Sequence, residues 1–456
     1  MHQRTLACLA LTLLFLLTPL PASGEPAGAQ ATSSQDRPNV ILIYTDDQGS
    51  VDANCYGSKD LITPHMDALA ERGVRFTQMY APSPLCTPSR VGLMTGRIPV
   101  RAGLQGNASS TKGEAGLSPE EITIAELLRS AGYATGHVGK WHLGYSPETM
   151  PNAQGFDYSF GHMGGCIDNY SHFFYWQGPN RHDLWRNGQE VWGPGRFFGD
   201  LMVEECLSFI RKNRNRPFFL YWAMNLPHYP LQGGPQWQER YKRLPSPRRM
   251  YAEFLSTADE LLGRVIKELD DTGLRNKTLV IFQSDNGHSL EERTFGGGGN
   301  AGPYRGAKAS MFEGGLRVPS IVSMPGSFPE NEVGNQMVTG CDWFPTIAEI
   351  CGVDLPQRRL DGKSIVSVIR SPQAPSPHHT FYWQLFNQWA VREGKWKLLG
   401  NPRDMTDKTS LTEDDKLFLV DLSQDIGEKE NRAKRFPEVV ARLLKIRQDY
   451  LSELKN

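Results

Sequence analysis

The sequence predicts an α/β protein in which buried parallel strands carry a chemical site at their C-terminal ends and a small antiparallel unit with one helix follows. Three observations predict it. Asn39-Val40-Ile41-Leu42-Ile43-Tyr44-Thr45 and Thr278-Leu279-Val280-Ile281-Phe282-Gln283-Ser284 are near-continuous apolar runs, the pattern of strands covered on both faces. Each run is followed at once by two oxygen-bearing side chains, Asp46-Asp47 and Asp285-Asn286, where open α/β sheets place their ligands. After a break with three prolines in 371–379, short strand candidates succeed one another up to a last amphipathic stretch.

The N-terminus is read first. Arg4, the apolar run Leu6 to Leu17 and Ala22-Ser23-Gly24 make residues 1–24 a secretory signal, and 25–36 a flexible spacer. The apolar run is too short to span a bilayer, so an exported protein without a membrane anchor is expected. Its location would be periplasmic or extracellular, or lysosomal/secretory in a eukaryotic host. Lys+Arg 49 against Asp+Glu 50 gives no basic surplus, which argues against nucleic acid as a partner. Apart from Cys8 in the signal and Cys86, five cysteines remain, an odd number that excludes a fully paired disulfide scaffold.

Pro84 to Arg97 reads as a loop opening into a helix, with Pro88 in the first turn. Cys86 then sits at the helix N-terminus, where the dipole lowers a thiol pKa, and Arg90 lies one turn on along the same face. A buried cysteine beside a structural arginine is the plainer reading of the same pair. Asp46, Asp47, Asp285 and Asn286 together suit a hard cation, calcium or magnesium; singly, each pair reads as an Asx turn. A helix at 122–131 leads into a strand ending in Gly139-Lys140-Trp141-His142, and extended geometry would put Lys140 and His142 on one side. A further strand, Phe218 to Ala223, runs into a proline-bracketed loop with His228. Met250 to Leu269 is a packing helix, and the glycines at 296–299 begin a loop that carries Lys308. A helix at 342–351 and a loop at 360–364 close a large domain at 37–370. In 371–456, strands are expected at 380–383, 389–392, 395–399 and 417–421, with a helix at 436–451.

Cys86-Thr87-Pro88-Ser89-Arg90, followed by Thr95-Gly96-Arg97, resembles the signature of the type I sulfatases, and Gly139-Lys140-Trp141-His142-Leu143-Gly144 resembles their second signature. The segments 217–230 and 308–319 resemble further blocks of the family, in family order, so the resemblance covers about residues 37 to 456. It implies an alkaline-phosphatase-like large mixed sheet flanked by helices, and hydrolysis of sulfate monoesters. It implies that Cys86 is converted to formylglycine by a formylglycine-generating enzyme, and that Asp46, Asp47, Asp285, Asn286 and the converted Cys86 bind calcium. A thiolate is a poor ligand for so hard a cation, and this mismatch argues for the conversion independently. In the roles the resemblance implies, Arg90, Lys140 and Lys308 hold the sulfate and Asp285 takes a proton from the formylglycine hydrate. His142 holds a hydrate hydroxyl, and His228, alone or with Lys308, protonates the leaving alcohol. Two rivals are a phosphonate or phosphate diester hydrolase of the same superfamily and a non-catalytic sulfated-glycan-binding protein. The second would carry a damaged site, yet no matched position is substituted.

Residues 156–176 resemble the corresponding region of arylsulfatase B-like enzymes, which act on N-acetylgalactosamine 4-sulfate. Tyr170, His172 and Trp176 are accordingly candidate substrate contacts, with burial in the core as the competing reading. The expected substrate is a sulfated saccharide, taken at a chain end, with small aryl sulfates also reacting. Arg240, Lys242, Arg243, Arg248 and Arg249 read either as a polyanion contact or as a solvated basic loop. Asn107, Asn169 and Asn276 are glycosylation acceptors if the host glycosylates.

Overall fold

Strand β1 (Asn39–Thr45) is fully buried and pairs in parallel on both sides. In chain order the other strands of its sheet are β2 (Val74–Phe76), β3 (Ala134–Lys140), β4 (Tyr158–His162), β5 (Trp185–Arg186), β6 (Gln189–Glu190), β7 (Phe218–Ala223), β8 (Thr278–Ser284), β9 (Ser320–Ser323) and β10 (Glu332–Gly334). They lie in the order β10-β2-β9-β8-β1-β7-β3-β4-β5-β6, ten strands with a parallel centre and antiparallel pairings at β8–β9, β9–β2, β4–β5 and β5–β6. This computed structural model describes residues 37–176, 178–406 and 410–454; the expected signal (1–24) and spacer (25–36) lie outside the described residues.

The alternation of a pleated strand divides the core in two. Val40, Leu42 and Tyr44 face α2 (Cys86–Thr95), α3 (Ile124–Ser130) and the helix Trp343–Cys351, packing on Val91, Leu128 and Phe344. Ile41 and Ile43 face α1 (Pro64–Glu71), the helix Phe198–Asn213 and the long helix Arg248–Asp271. That last helix presents Leu255, Ala258, Leu262, Val265 and Leu269 at helical spacing, as its sequence pattern requires. Apolar cover on both sides is why the central strands contain almost no polar alternation.

Beyond residue 371, a four-stranded antiparallel meander, β11 (Thr380–Leu385), β12 (Gln388–Glu393), β13 (Trp396–Gly400) and β14 (Leu417–Asp421), is covered by the helix Pro437–Glu453. Its apolar face joins Met311, Phe312 and Leu316 in one cluster, so the segment just after Lys308 is packed against it. A buried ion network crosses the same junction: Lys397 Nζ on β13 donates to Glu313 at 2.9 Å and to Glu428 at 3.0 Å. The six described cysteines are all free. Among the described residues no helix is long and apolar enough to cross a membrane.

Candidate active site

The register of β1 against β8 builds the site. Thr45 is paired with Ser284, so Asp46 and Asp285 leave the two strands side by side. The Asp285 amide donates to the Thr45 carbonyl at 3.0 Å, and the Asp47 amide donates to Asp285 Oδ1 at 3.1 Å. Asp47 then turns into the left-handed region at φ 62°, and Asn286 Nδ2 donates to its Oδ1 at 2.6 Å.

Helix α2 begins at Cys86 and ends against Gly96, with all of its residues buried. Cys86 Sγ lies 3.6 Å from Asp46 Oδ1. One turn on, the Arg90 guanidinium donates to Asp285 Oδ2 at 2.9 Å, to the Tyr221 hydroxyl at 3.2 Å and to the Lys140 carbonyl at 3.3 Å. Ligating atoms of Asp46, Asp47, Cys86 and His228 all fall within 4.8 Å of one another. The thiol departs from expectation. Burial pushes its pKa far up, against the pull of Lys140 and Lys308, because a helix N-terminus does not offset the loss of water around a thiolate.

Lys140 ends β3 and donates to Asp46 Oδ2 at 2.6 Å. Gly139 before it has φ 114°, and a Cβ there would stand 1.9 Å from the Ala223 carbonyl oxygen, so only glycine lets β3 and β7 close up at this point. His142 reaches the site by another route than the one expected. The strand stops at Lys140 and His142 lies at φ 53°, so a turn, not two-residue alternation, brings it to the cavity. Its Nδ1 is buried without a hydrogen-bond partner in the structure.

Lys308 arrives from the opposite side, donating to Asp47 Oδ2 at 2.9 Å, to His228 Nε2 at 3.3 Å and to Glu291 at 3.2 Å. The other ring nitrogen of His228 lies 2.9 Å from the Tyr229 carbonyl, which only accepts; Nδ1 therefore carries the proton and Nε2 the lone pair. Burial, with Lys308 and Lys140 adding to it, holds this imidazole well below its usual pKa and neutral. Burial also pushes Asp47 up to about 7 and Asp285 up to about 6, crowded as both are by Asp46.

Three carboxylates, Asp46, Asp47 and Asp285, are thus matched by three cations, Arg90, Lys140 and Lys308, all buried, with Lys308 nearest the solvent at 9% exposed. Asn286 Oδ1 is buried there with no hydrogen-bond partner, an acceptor left unmet beside the carboxylates. With the three carboxylates it makes a donor set that fits a hard divalent cation.

Above this floor opens a cavity of about 630 Å³. Cys86, His142, His228 and Lys308 form its base. Phe174, Tyr229 and Cys166 wall one side, and Asn107, Ser110, Glu291 and Arg293 supply polar edges. Of the substrate contacts expected from the sequence, none is among the described lining residues. Tyr170 packs on Phe197, and His172 is buried with its Nε2 3.1 Å from the Arg196 carbonyl. Trp176 backs the wall through Phe174 and Tyr229. Asn169 is also corrected: buried and bonded to Pro230 and Gln232, it presents no amide for glycosylation. Arg248 of the basic loop is taken up by Asp52 and Asp60. Glu291 and Arg293 escaped the sequence reading because charged residues in a loop look like solvated ones; their only signal was nearness to Asp285-Asn286 along the chain.

The sulfatase family model matches residues 38–353, and one described as N-sulphoglucosamine sulphohydrolase, C-terminal, matches 304–447. The chain belongs to the sulfatase family. It is 35% identical to arylsulfatase A of Homo sapiens over 434 residues, 86% of this chain and 83% of that protein. It is 33% identical to N-acetylgalactosamine-6-sulfatase of Sus scrofa over 402 residues, 81% of this chain and 73% of that one. The crystal structure of Ps i-CgsB superposes with a TM-score of 0.81 at 30% identity, covering 91% of this chain and 92% of that one. The protein is a sulfuric ester hydrolase with the alkaline-phosphatase-like fold of its family, and its chemistry is the hydrolysis of sulfate esters.

Proposed function

We propose that the substrate is a sulfated saccharide and that the reaction uses formylglycine at position 86 with calcium held by Asp46, Asp47, Asp285 and Asn286. The observation that carries this reading is the burial of Cys86 Sγ 3.6 Å from Asp46 in an otherwise oxygen-donor site, beneath a cavity of sugar size. A buried thiol with a raised pKa is a poor nucleophile and a soft ligand; an aldehyde hydrate at the same place is neither. When bound, calcium would supply Lewis-acid stabilisation of charge on the ester oxygens, and formylglycine the attacking oxygen.

The chain's own residues do the rest. The sulfate monoester is an anion, and the matched charges of the floor would become a cationic excess with a divalent ion bound. Arg90 and Lys140 are locked by carboxylates and need no reorganisation as charge develops, the condition for strong electrostatic stabilisation. Lys308 stays protonated, its pKa raised well above the usual value by Asp47 and other nearby anionic groups although burial opposes it. It is the proton donor to the leaving alcohol, and neutral His228 orients it by accepting at Nε2. His142, with Nδ1 unpartnered, is assigned a hydroxyl of the nucleophile.

Saccharide substrates are favoured by the cavity walls and by what related proteins are named for: N-acetylgalactosamine-6-sulfatase in Sus scrofa, and a Ps i-CgsB structure in complex with k-i-k-neocarrahexaose. A galactose-configured sugar fits the first of these names; the sulfate position, including the 4-sulfate of the expected N-acetylgalactosamine substrate, is left to assay. Export through residues 1–24, maturation by a formylglycine-generating enzyme and a C-terminal subdomain at 371–456 that steadies the Lys308 segment belong to the same reading. The deciding experiment measures inorganic sulfate release from a panel of sulfated mono- and oligosaccharides and an aryl sulfate, before and after calcium chelation. Turnover of the aryl sulfate alone would remove the saccharide, and full activity after exhaustive chelation would remove the metal.

A further inference from the structure

Outside the cavity, residues 168–176 and 178–197 expose aromatic rings that the reaction does not use. Trp192 is 64% exposed and Tyr175 44%, and both pack on Phe173, so they form one contiguous aromatic patch instead of scattered rings. They are not loose. One face of Trp192 is stacked on His182 at a centroid distance of 3.8 Å and an interplanar angle of 4°, and His182 is itself fixed by Glu190 at 2.9 Å. Tyr175 is stacked nearly parallel on Phe173, 5.9 Å away at 11°, and its hydroxyl is bonded to Ser171 at 2.8 Å. A ring held on one face and bare on the other is already ordered for a ligand, so binding costs little side-chain entropy.

The rings connect to the active-site cavity without a gap. From the wall residue Tyr229 the contacts pass to Trp176 at 5.6 Å, to Tyr175 at 6.0 Å, to Phe173 at 5.9 Å and to Trp192 at 6.1 Å. Positive charge lines the cavity end of this path: the Arg293 guanidinium lies 5.8 Å from the Tyr229 ring and that of Arg181 4.1 Å from Phe174. Flat apolar faces next to guanidinium groups match a sugar chain that presents C–H faces and carries sulfates.

We propose that Tyr175 and Trp192 form a ledge for the saccharide chain that continues from the sulfated unit in the cavity, which makes the substrate an oligo- or polysaccharide and not a free monosaccharide. The ledge rests on the saccharide reading above. The sulfated unit enters the cavity, and the next units lie along the ring path with their C–H faces on Tyr175 and Trp192.

The test compares kcat/KM on an aryl sulfate, a sulfated monosaccharide and the matching tetra- and hexasaccharides, in the wild type, Tyr175→Ala and Trp192→Ala. The wild type should prefer the longer chains. Each substitution should lower the hexasaccharide-to-aryl-sulfate ratio of kcat/KM on the order of tenfold, through KM, with little change in kcat. Trp192→Phe should restore most of the ratio. Sugar turnover that ignores both chain length and these substitutions overturns the ledge while leaving the saccharide reading intact. Aryl sulfate turnover without any sugar turnover overturns both. A wild-type dimer in sedimentation that Trp192→Ala dissociates also overturns it, since the rings would then be covered by a second copy.

Discussion

Lys308 Nζ donates to His228 Nε2 at 3.3 Å, and the proton of that imidazole is committed to the Tyr229 carbonyl on the other side. On the proposed reading the lysine is the acid and the histidine its support, a division of labour that the residue types alone left open.

It follows that Lys308→Ala should cost most where the leaving oxygen needs a proton most. On a sugar sulfate, kcat should fall by about 10²–10⁴-fold; on an aryl sulfate with an acidic phenol the loss should be much smaller. Because His228 is already neutral, no limb of the rate–pH profile belonging to it is expected between about pH 6 and 8. Rate–pH profiles of the wild type and His228→Gln check this. A limb in that window that vanishes in the variant would return the acid role to the histidine.

A second expectation concerns Cys86 before conversion. With its pKa raised by burial, the unconverted thiol should resist iodoacetamide at about pH 8 in the folded protein and react on unfolding. Peptide mass spectrometry of active protein should show an aldehyde or its hydrate at this position. Cys86→Ala should keep the thermal midpoint and lose turnover; a variant that turns over normally would refute the nucleophile assignment.

The convergence of Asp46 and Asp285 was legible because two apolar runs of equal length, each ending in oxygen ligands, are built to pair in parallel, and the Thr45–Ser284 register does the rest. The two-layer helical cover followed from the same runs. The thiol pKa was not legible: the dipole argument is local, while the desolvation that overrides it comes from the whole of the packing around α2. Nor was the course of the chain after β4, where a strand of two residues, Phe173–Phe174, and a left-handed His172 give no period from which to read direction. There the ring that lines the cavity is Phe174, and those that reach solvent include Trp192, far along the chain.

Lys397 is the stability counterpart of the site lysines. It is fully buried between Glu313 and Glu428. Burial would raise Glu313, but Lys397, Arg317 and Arg392 outweigh it and hold the carboxyl at about 2. Lys397→Met would leave two buried carboxylates facing each other, and a loss of about 3–5 kcal/mol is expected. Adding Glu428→Gln should recover part of it by removing one charge. Thermal midpoints of the two variants check the order; an unchanged midpoint in Lys397→Met would show that the network carries little stability.

Asp259 supplies a pH test away from the site. It lies on the long helix Arg248–Asp271, 1% exposed, and its two oxygens accept the His65 and Met66 amides at 3.1 and 2.7 Å. Those amides open α1, whose own N-cap makes no side-chain bond, so Asp259 caps a neighbouring helix. Burial pushes its pKa up to about 7, against the pull of the two amides. In the unfolded chain the value is about 3.9. Between about pH 4 and pH 7 the folded state therefore holds a proton that the unfolded state has lost, and the contribution of Asp259 to stability falls as pH rises through that window. Asp259→Asn cannot titrate. Its midpoint, lower than that of the wild type at about pH 5 because an amide group meets one N–H donor badly, should draw closer to the wild type by about pH 7.5. The measurement is the difference in thermal midpoint between the two proteins at both pH values. A constant difference would mean that Asp259 ionises normally in the fold and that the helix dipole of α1, not burial, governs its charge.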